Sequence, residues 1–220
     1  MSRNRRPPKS KKHNPFKAIS GQGKVVEFAK PARQELRIIA GHWRGRKLPF
    51  ATVAGLRPTT DRVRETVFNW LAPMLPGARC LDLFTGTGAL SLEALSRDAA
   101  QVDMVELSQV ASQQLKDNLA KLELQPEQTA NVHNMSCFDW LRQATDAKAY
   151  DVIFLDPPFA LSLMEDVLSR LQESSLVQVG TLIYVEQPEP LANLDLPDNW
   201  HLHRQKKAGQ VHYGLIKVEA

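Results

Sequence analysis

Hydrophobic and polar positions change their period several times along the chain, and each change marks an element. Over residues 1–30 no period holds; Pro, Lys and Arg dominate, and the stretch reads as a disordered arm. Alternation begins near Leu36. Residues 36–40 read as a short strand, 41–45 as a turn and 46–48 as a returning strand, followed by a loop over 55–60. From Thr60 or Asp61 the period becomes helical, with Val63, Val67, Phe68 and Leu71 on one face, until Pro73 and Pro76 end it. Strands and helices then alternate: strands at 80–84, 101–106, 130–133 and 150–155, helices at 88–97, 108–123, near 137–145 and near 161–172. A strand at 181–186 follows, and 201–206 and 211–218 pair across Ala208 and Gly209. The strand at 150–155 is almost wholly apolar, as the centre of a parallel sheet requires. Repeated βα units predict an α/β fold, doubly wound and mostly parallel with right-handed crossovers, closed by an antiparallel C-terminal hairpin.

Composition adds bounds to this picture. A chain of 220 residues with 43% hydrophobic and 24% charged residues can build the core of one α/β domain. No apolar run nears the roughly 20 residues of a membrane span, and no hydrophobic stretch follows the basic N-terminus as in a secretory signal. Cys80 and Cys137 are the only cysteines, which excludes a disulfide framework and a cysteine-rich zinc site and fits a reducing cytoplasm. The net charge of +4 conceals an asymmetry. Residues 1–30 carry nine Lys/Arg and one acid, 31–64 carry eight and two, and 65–220 carry 11 basic against 21 acidic residues. A cationic front on an acidic body suits a polyanion, with nucleic acid the leading candidate. A short charged tail can equally serve solubility alone, so the arm stays open between these roles.

Two motifs carry chemistry. Asp82-Leu83-Phe84-Thr85-Gly86-Thr87-Gly88 lies at the first strand–helix junction, where Gly86 and Gly88 permit a sharp turn and a ligand against the backbone. Glu106 ends the second strand 20 residues after Gly86, well placed for ribose hydroxyls. A dinucleotide fold wants Gly or Ala at position 91 and this chain has Ser91; Asp82 can meet a cationic amino group, which S-adenosylmethionine has and NAD lacks. The second motif is Asp156-Pro157-Pro158-Phe159 at the carboxyl end of the fourth strand. Two prolines hold the chain rigid there. The Asp156 carboxylate and the Pro157 carbonyl can accept two hydrogen bonds from one amino group, and Phe159 offers a face for a base. That is a receptor for a planar exocyclic amine.

LDLFTGTGALSLEALSR, the VE of 105–106 and DPPF, preceded by RIIAGHWRGRKL and RPTTDRVRETVFNWL, resemble the RsmD family over about residues 35–218. The resemblance implies a Rossmann-like class I S-adenosylmethionine-dependent methyltransferase acting on a guanine N2 amine of small-subunit (16S) ribosomal RNA, as naked RNA or in an assembling subunit. The expected division is a disordered basic arm over 1–34, read from its composition and longer than the family pattern needs, an RNA-contacting β-hairpin extension over 35–58 and a methyltransferase domain over 59–220. The catalytic residues implied by the resemblance are Asp156, Pro157, Pro158 and Phe159. Cofactor contacts would come from Arg57, Thr59, Asp82, Phe84, Gly86, Gly88, Glu106, Leu107, Ser136, Cys137 and Phe138. Arg37, Arg44, Arg46, Lys47 and Arg62 would hold phosphates, with Trp43 available to stack on a base. Within the matched span two departures stand out: Asp98 occupies a position where glycine is common, and in Asn134-Met135-Ser136-Cys137-Phe138 no Asn or Asp stands at the place usual beside the adenine.

Trp70 and Trp140 are expected in the core. The six histidines have no ligand spacing, so no metal is expected, and a monomer is the expected state. Three rivals compete. An amino-methyltransferase of DNA adenine or cytosine could use the same DPPF but would want a larger recognition region. An NAD oxidoreductase is disfavoured by Ser91 and Asp82. A non-catalytic RNA-binding protein has no reason to keep Asp156.

Overall fold

A strand covered on both faces must be apolar throughout, and Val152–Leu155 is buried at all four positions. It lies inside a seven-stranded sheet. The computed structural model describes residues 17–19, 25–27, 34–51, 59–145, 147–158 and 163–220; Phe159 and residues 55–58 of the loop expected over 55–60, Arg57 among them, lie outside them. In the unit Met1–Arg33, strands β1 (Lys17–Ile19) and β2 (Val25–Glu27) pair antiparallel, Ala18 opposite Val26. A reading of that stretch as an arm without regular structure does not anticipate this pairing; a three-residue strand is too short to show a period.

The unit Gln34–Ala220 begins with the hairpin β3 (Glu35–Arg37) and β4 (Lys47–Pro49) and the helix α1 (Asp61–Leu71). The alternating part follows as β5 (Arg79–Asp82), α2 (Ala89–Ser96), β6 (Gln101–Val105), α3 (Gln109–Leu119), β7 (Thr129–His133), α4 (Cys137–Gln143), β8 (Val152–Leu155), α5 (Met164–Gln172) and β9 (Leu182–Gln187). Strands β10 (Trp200–Ala208) and β11 (Val211–Val218) end the chain. Sheet order is β10-β11-β9-β8-β5-β6-β7, parallel from β9 to β7, with β11 antiparallel to both β9 and β10. The chain runs outward from β5 to β7, then returns to the other side of β5 as β8. The switch point lies between β5 and β8, where open α/β sheets place their ligands.

One face of the sheet packs against α1, α2 and the β3–β4 hairpin, around Phe68, Leu92, Phe154 and Tyr184; the other packs against α4 and α5, around Trp140, Leu168 and Ile183. The hairpin is part of the first core: Leu36, Ile38, Trp43 and Leu48 are all buried in it. Trp43 is only 3% exposed, so the expectation of a base-stacking tryptophan is corrected. Its indole is sealed in beside the turn, and its backbone N–H donates to Ser96 Oγ of α2 at 3.0 Å.

A buried polar hub fixes the hairpin. Glu93 of α2, fully buried, accepts the backbone N–H groups of Ile39 (2.8 Å) and Ala40 (3.0 Å) and pairs with Arg97 at 2.8 Å. Arg64 of α1, also fully buried, lies 3.8 Å from Glu93, donates to the Arg37 carbonyl at 2.9 Å and pairs with Asp61 at 2.7 Å. Arg37 reaches Asp61 as well, and the two guanidinium groups outweigh its slight burial and hold that carboxyl below its ordinary range. Gly41, at φ +79°, sits so close to α2 that a Cβ would lie 1.7 Å from the Ser96 carbonyl oxygen. Only glycine fits. Asp98 takes φ +72°, a backbone that favours glycine; its carboxylate meets His42 Nε2 at 2.7 Å.

Candidate active site

The loop after β5 is shaped by its glycines. Gly88 caps α2 at φ +82°, and a Cβ there would come within 2.5 Å of the Leu115 side chain. Gly86 has φ +55°, and its N–H donates to Glu106 Oε2 at 2.8 Å. The other oxygen of Glu106 accepts the Ser108 N–H at 2.6 Å. Glu106 is therefore locked across the mouth of the loop with lone pairs to spare. Burial raises its pKa against the pull of those two N–H groups. Leu107, next in the chain, is 73% exposed. Asn134 holds this stretch by donating to the carbonyls of Glu106 and Leu107 at 2.9 and 3.0 Å.

Asp82 lies beneath the loop, 1% exposed, accepting the Ser91 hydroxyl at 2.5 Å and the Phe84 N–H at 3.3 Å. Burial pushes its pKa up to about 7 despite those bonds, and the Glu106 charge adds to the rise. A buried carboxyl short of positive charge is suited to a cationic partner. Ser136, expected beside an adenine, caps α4: it accepts the Asp139 N–H at 3.1 Å and donates to the Asp139 carboxylate at 2.7 Å. Cys137 is buried, its thiol pushed up to about 11, and the half-buried Phe138 ring lies 5.1 Å from the Arg170 guanidinium. All of these stand at the carboxyl ends of β5, β6 and β7.

Across the switch point, Asp156 follows β8. Thr59, expected over the cofactor, donates its hydroxyl to Asp156 Oδ2 at 3.3 Å. Pro157 is buried and Pro158 exposed. Glu186 near the end of the neighbouring β9 accepts the Tyr184 hydroxyl at 2.6 Å. Burial, then the charges of Glu186 and Asp82, raises the pKa of Asp156 well above its ordinary value. Local spacing offers no route to Glu186: it reaches Asp156 only because β9 lies beside β8. Among the phosphate-holding candidates, Arg37 is engaged with Asp61, Lys47 stands 3.9 Å from Glu35, and Arg46 donates to the Lys121 carbonyl at 3.3 Å. Arg44 and Arg62 are exposed. Among the described residues no three His, Cys, Asp or Glu side chains converge on a common point as metal ligands would, and no helix is long and apolar enough to cross a membrane.

A doubly wound sheet with an antiparallel seventh strand, a glycine loop after the first central strand and an acid ending the next define the class I methyltransferase fold. Low-identity neighbours share it, among them the methyltransferase SMU.776 complexed with SAH, 16% identical at a TM-score of 0.62 over 90% of this chain and 59% of that one. Within that class the chain belongs to the RsmD family, whose model, described as conserved hypothetical protein 95, matches residues 36–217. It is 47% identical to ribosomal RNA small subunit methyltransferase D of Escherichia coli K12, covering 84% of this chain and 91% of that one. It is 48% identical to the protein of the same name in Haemophilus influenzae, over 84% and 95%. The solved structure of Escherichia coli yhhF superimposes at a TM-score of 0.74 with 47% identity, covering 85% and 99%.

Proposed function

We propose that the chain methylates small-subunit ribosomal RNA on the exocyclic N2 amine of a guanine, using S-adenosylmethionine. The names of the relatives support the RNA and the reaction. The observation that carries the amine is Asp156, a half-buried carboxyl of raised basicity ahead of a rigid Pro-Pro pair at the switch point. The residues around the glycine loop fit the cofactor: Asp82 for a cationic amino group, Glu106 for a diol, Leu107 for an apolar ring face. When bound, S-adenosylmethionine supplies a methyl group made electrophilic by its sulfonium. The work left to the chain is alignment and exclusion of water.

A guanine N2 amine is a weak nucleophile because its lone pair is delocalised into the ring. Asp156 and the Pro157 carbonyl accept its two hydrogens, favour pyramidal nitrogen and stabilise the positive charge that develops there. The surplus proton then leaves to Asp156 or to water. Thr59 fixes the carboxylate from one side, and Glu186, steadied by Tyr184, keeps it basic. The base must be unpaired or flipped to reach this depth. Arg37, Arg44, Arg46, Lys47 and Arg62 would hold surrounding phosphates.

The test is labelled methyl transfer to ribosomal RNA and to DNA, with the product nucleoside identified by mass spectrometry. N2-methylguanosine in RNA is expected; methyladenine or methylcytosine in DNA would instead support the rival amino-methyltransferase. Asp156→Ala should lose at least about 100-fold in kcat with cofactor affinity retained, of the order that transition-state hydrogen-bond partners contribute. Glu186→Gln removes the negative charge that raises Asp156. The Asp156 pKa then falls, and the acid limb of the kcat profile, where activity is lost as Asp156 protonates, moves to lower pH.

A further inference from the structure

Arg37, Arg44, Arg46, Lys47 and Arg62 all lie in the N-terminal third of the chain. The C-terminal edge strand carries other cations. Arg204, Lys206 and Lys207 of β10 are exposed, and among the described residues none of them has a carboxylate partner. Strand register sorts them by face. Arg204 pairs with Leu215, which pairs with Tyr184; Lys206 pairs with Tyr213, which pairs with Glu186. Directly paired residues share a face, and Leu215, Tyr184 and Tyr213 belong to the core on the α1 side. Asp156 follows Phe154 by two residues and Phe154 pairs with Tyr184, so Asp156 stands on that side too. Lys207 pairs with His212 and points the other way.

Lys206 is also held in place. Its ammonium lies 5.9 Å from the ring centre of Trp70 on α1, and Trp70 stacks on Tyr213 at 5.8 Å and 25°. A lysine that serves only to keep an edge strand from pairing with another chain needs charge but no fixed position. A lysine steadied over an indole presents its charge at a set place, with less freedom to lose on binding.

We propose that Arg204 and Lys206, ordered by Trp70 and Tyr213, form a second phosphate-binding track for RNA, running across the β10–β11–β9 edge to Asp156 and guiding the strand that flanks the target base. This rests on the RNA-methyltransferase reading above. A ribose–phosphate chain fits the exposed cations, and the carboxylates of Glu186 and Asp156 at the inner end mark where phosphates stop and the base enters.

The experiment compares wild type, Arg204→Gln/Lys206→Gln and Lys207→Gln in binding a ribosomal RNA fragment over a salt series, in steady-state methyl transfer, and in sedimentation. For the double variant, Kd and KM for RNA are expected to rise about tenfold or more at low salt. Its salt slope should be shallower by roughly 0.7 for each phosphate that is no longer neutralised. Cofactor affinity and kcat should stay near wild type, and Lys207→Gln should change Kd by less than about threefold. Equal losses from Lys207→Gln would overturn the assignment to one face. An unchanged Kd with new self-association would show that these cations only guard the edge. A wild-type protein that methylates no RNA would defeat the functional reading itself, whereas active wild type with an unaffected double variant defeats this track alone.

Discussion

The β3–β4 and β10–β11 hairpins are both cationic, but they hold their charges in different ways. In the N-terminal hairpin, Arg37, Arg46 and Lys47 each have a partner within the fold, and the tryptophan of its turn is sealed into the core. In the C-terminal hairpin Lys217 pairs with Glu219, but Arg204, Lys206 and Lys207 face outward without a carboxylate partner among the described residues, and the Trp70 indole lies beside Lys206. Exposed ion pairs are worth only about 0–1 kcal/mol, so a phosphate can draw Arg37 away from Asp61. Nothing comparable frees Trp43. Arg44 apart, the first hairpin is thus a structural member that can lend charge, while the outer strand of the second is a surface whose charge is already available. Counting cations in a sequence does not distinguish the two; their partners do.

Glu93→Ala should separate the hairpins most sharply. It breaks the 2.8 Å pair with Arg97, removes one of the two carboxylates beside buried Arg64 and leaves the Ile39 and Ala40 N–H groups without their acceptor. Breaking a buried pair this way costs about 3–5 kcal/mol, and each orphaned N–H adds about 1–3 kcal/mol. Denaturant titration should find the loss, with early protease cleavage in residues 34–51. Next comes Trp43→Ala, expected to cost about 3–5 kcal/mol as a core truncation, against about 1–2 kcal/mol for Trp70→Ala, since Trp70, expected in the core, is only half-buried and stacks on Tyr213. Equal costs for the two would erase the distinction between a sealed and a surface indole. The smallest effect belongs to Asp98→Gly. It relieves a left-handed backbone worth about 1 kcal/mol but forfeits the half-exposed pair with His42, so the midpoint should shift by a few degrees at most.

Much of this architecture is legible in the chain because it is local. The change from helical to alternating period locates every element of the parallel sheet to within a few residues, and the backbone demands of Gly86 and Gly88 announce the loop. Less local features escape. Trp43 sits among Gly, His and Arg, a surface composition, and is buried only by packing against the distant α2. Glu93 reads as one polar position in an apolar helix; its role depends on a turn and a helix elsewhere in the sequence. Glu186 ends a strand whose neighbour is set by the crossover, and the face of Lys206 depends on a register shift between Leu202 and Arg204. Thr59 is the intermediate case: sequence pattern places it at the site, and the fold gives it Asp156 as its partner.

The clasp between the β3–β4 turn and α2 has a consequence for how the chain comes to be folded. Ile39 and Glu93 are 54 positions apart, and Ala40 and Ser96 are 56 apart. The hairpin leaves the ribosome before α2, so Glu93 and Ser96, which hold its turn from outside, have still to be made. Contacts of such sequence separation form slowly because the intervening loop must first be closed. Residues 34–51 are therefore a strip of apolar and basic chain in waiting, and the nascent protein is most exposed to misassociation in the interval before α2 emerges to receive it.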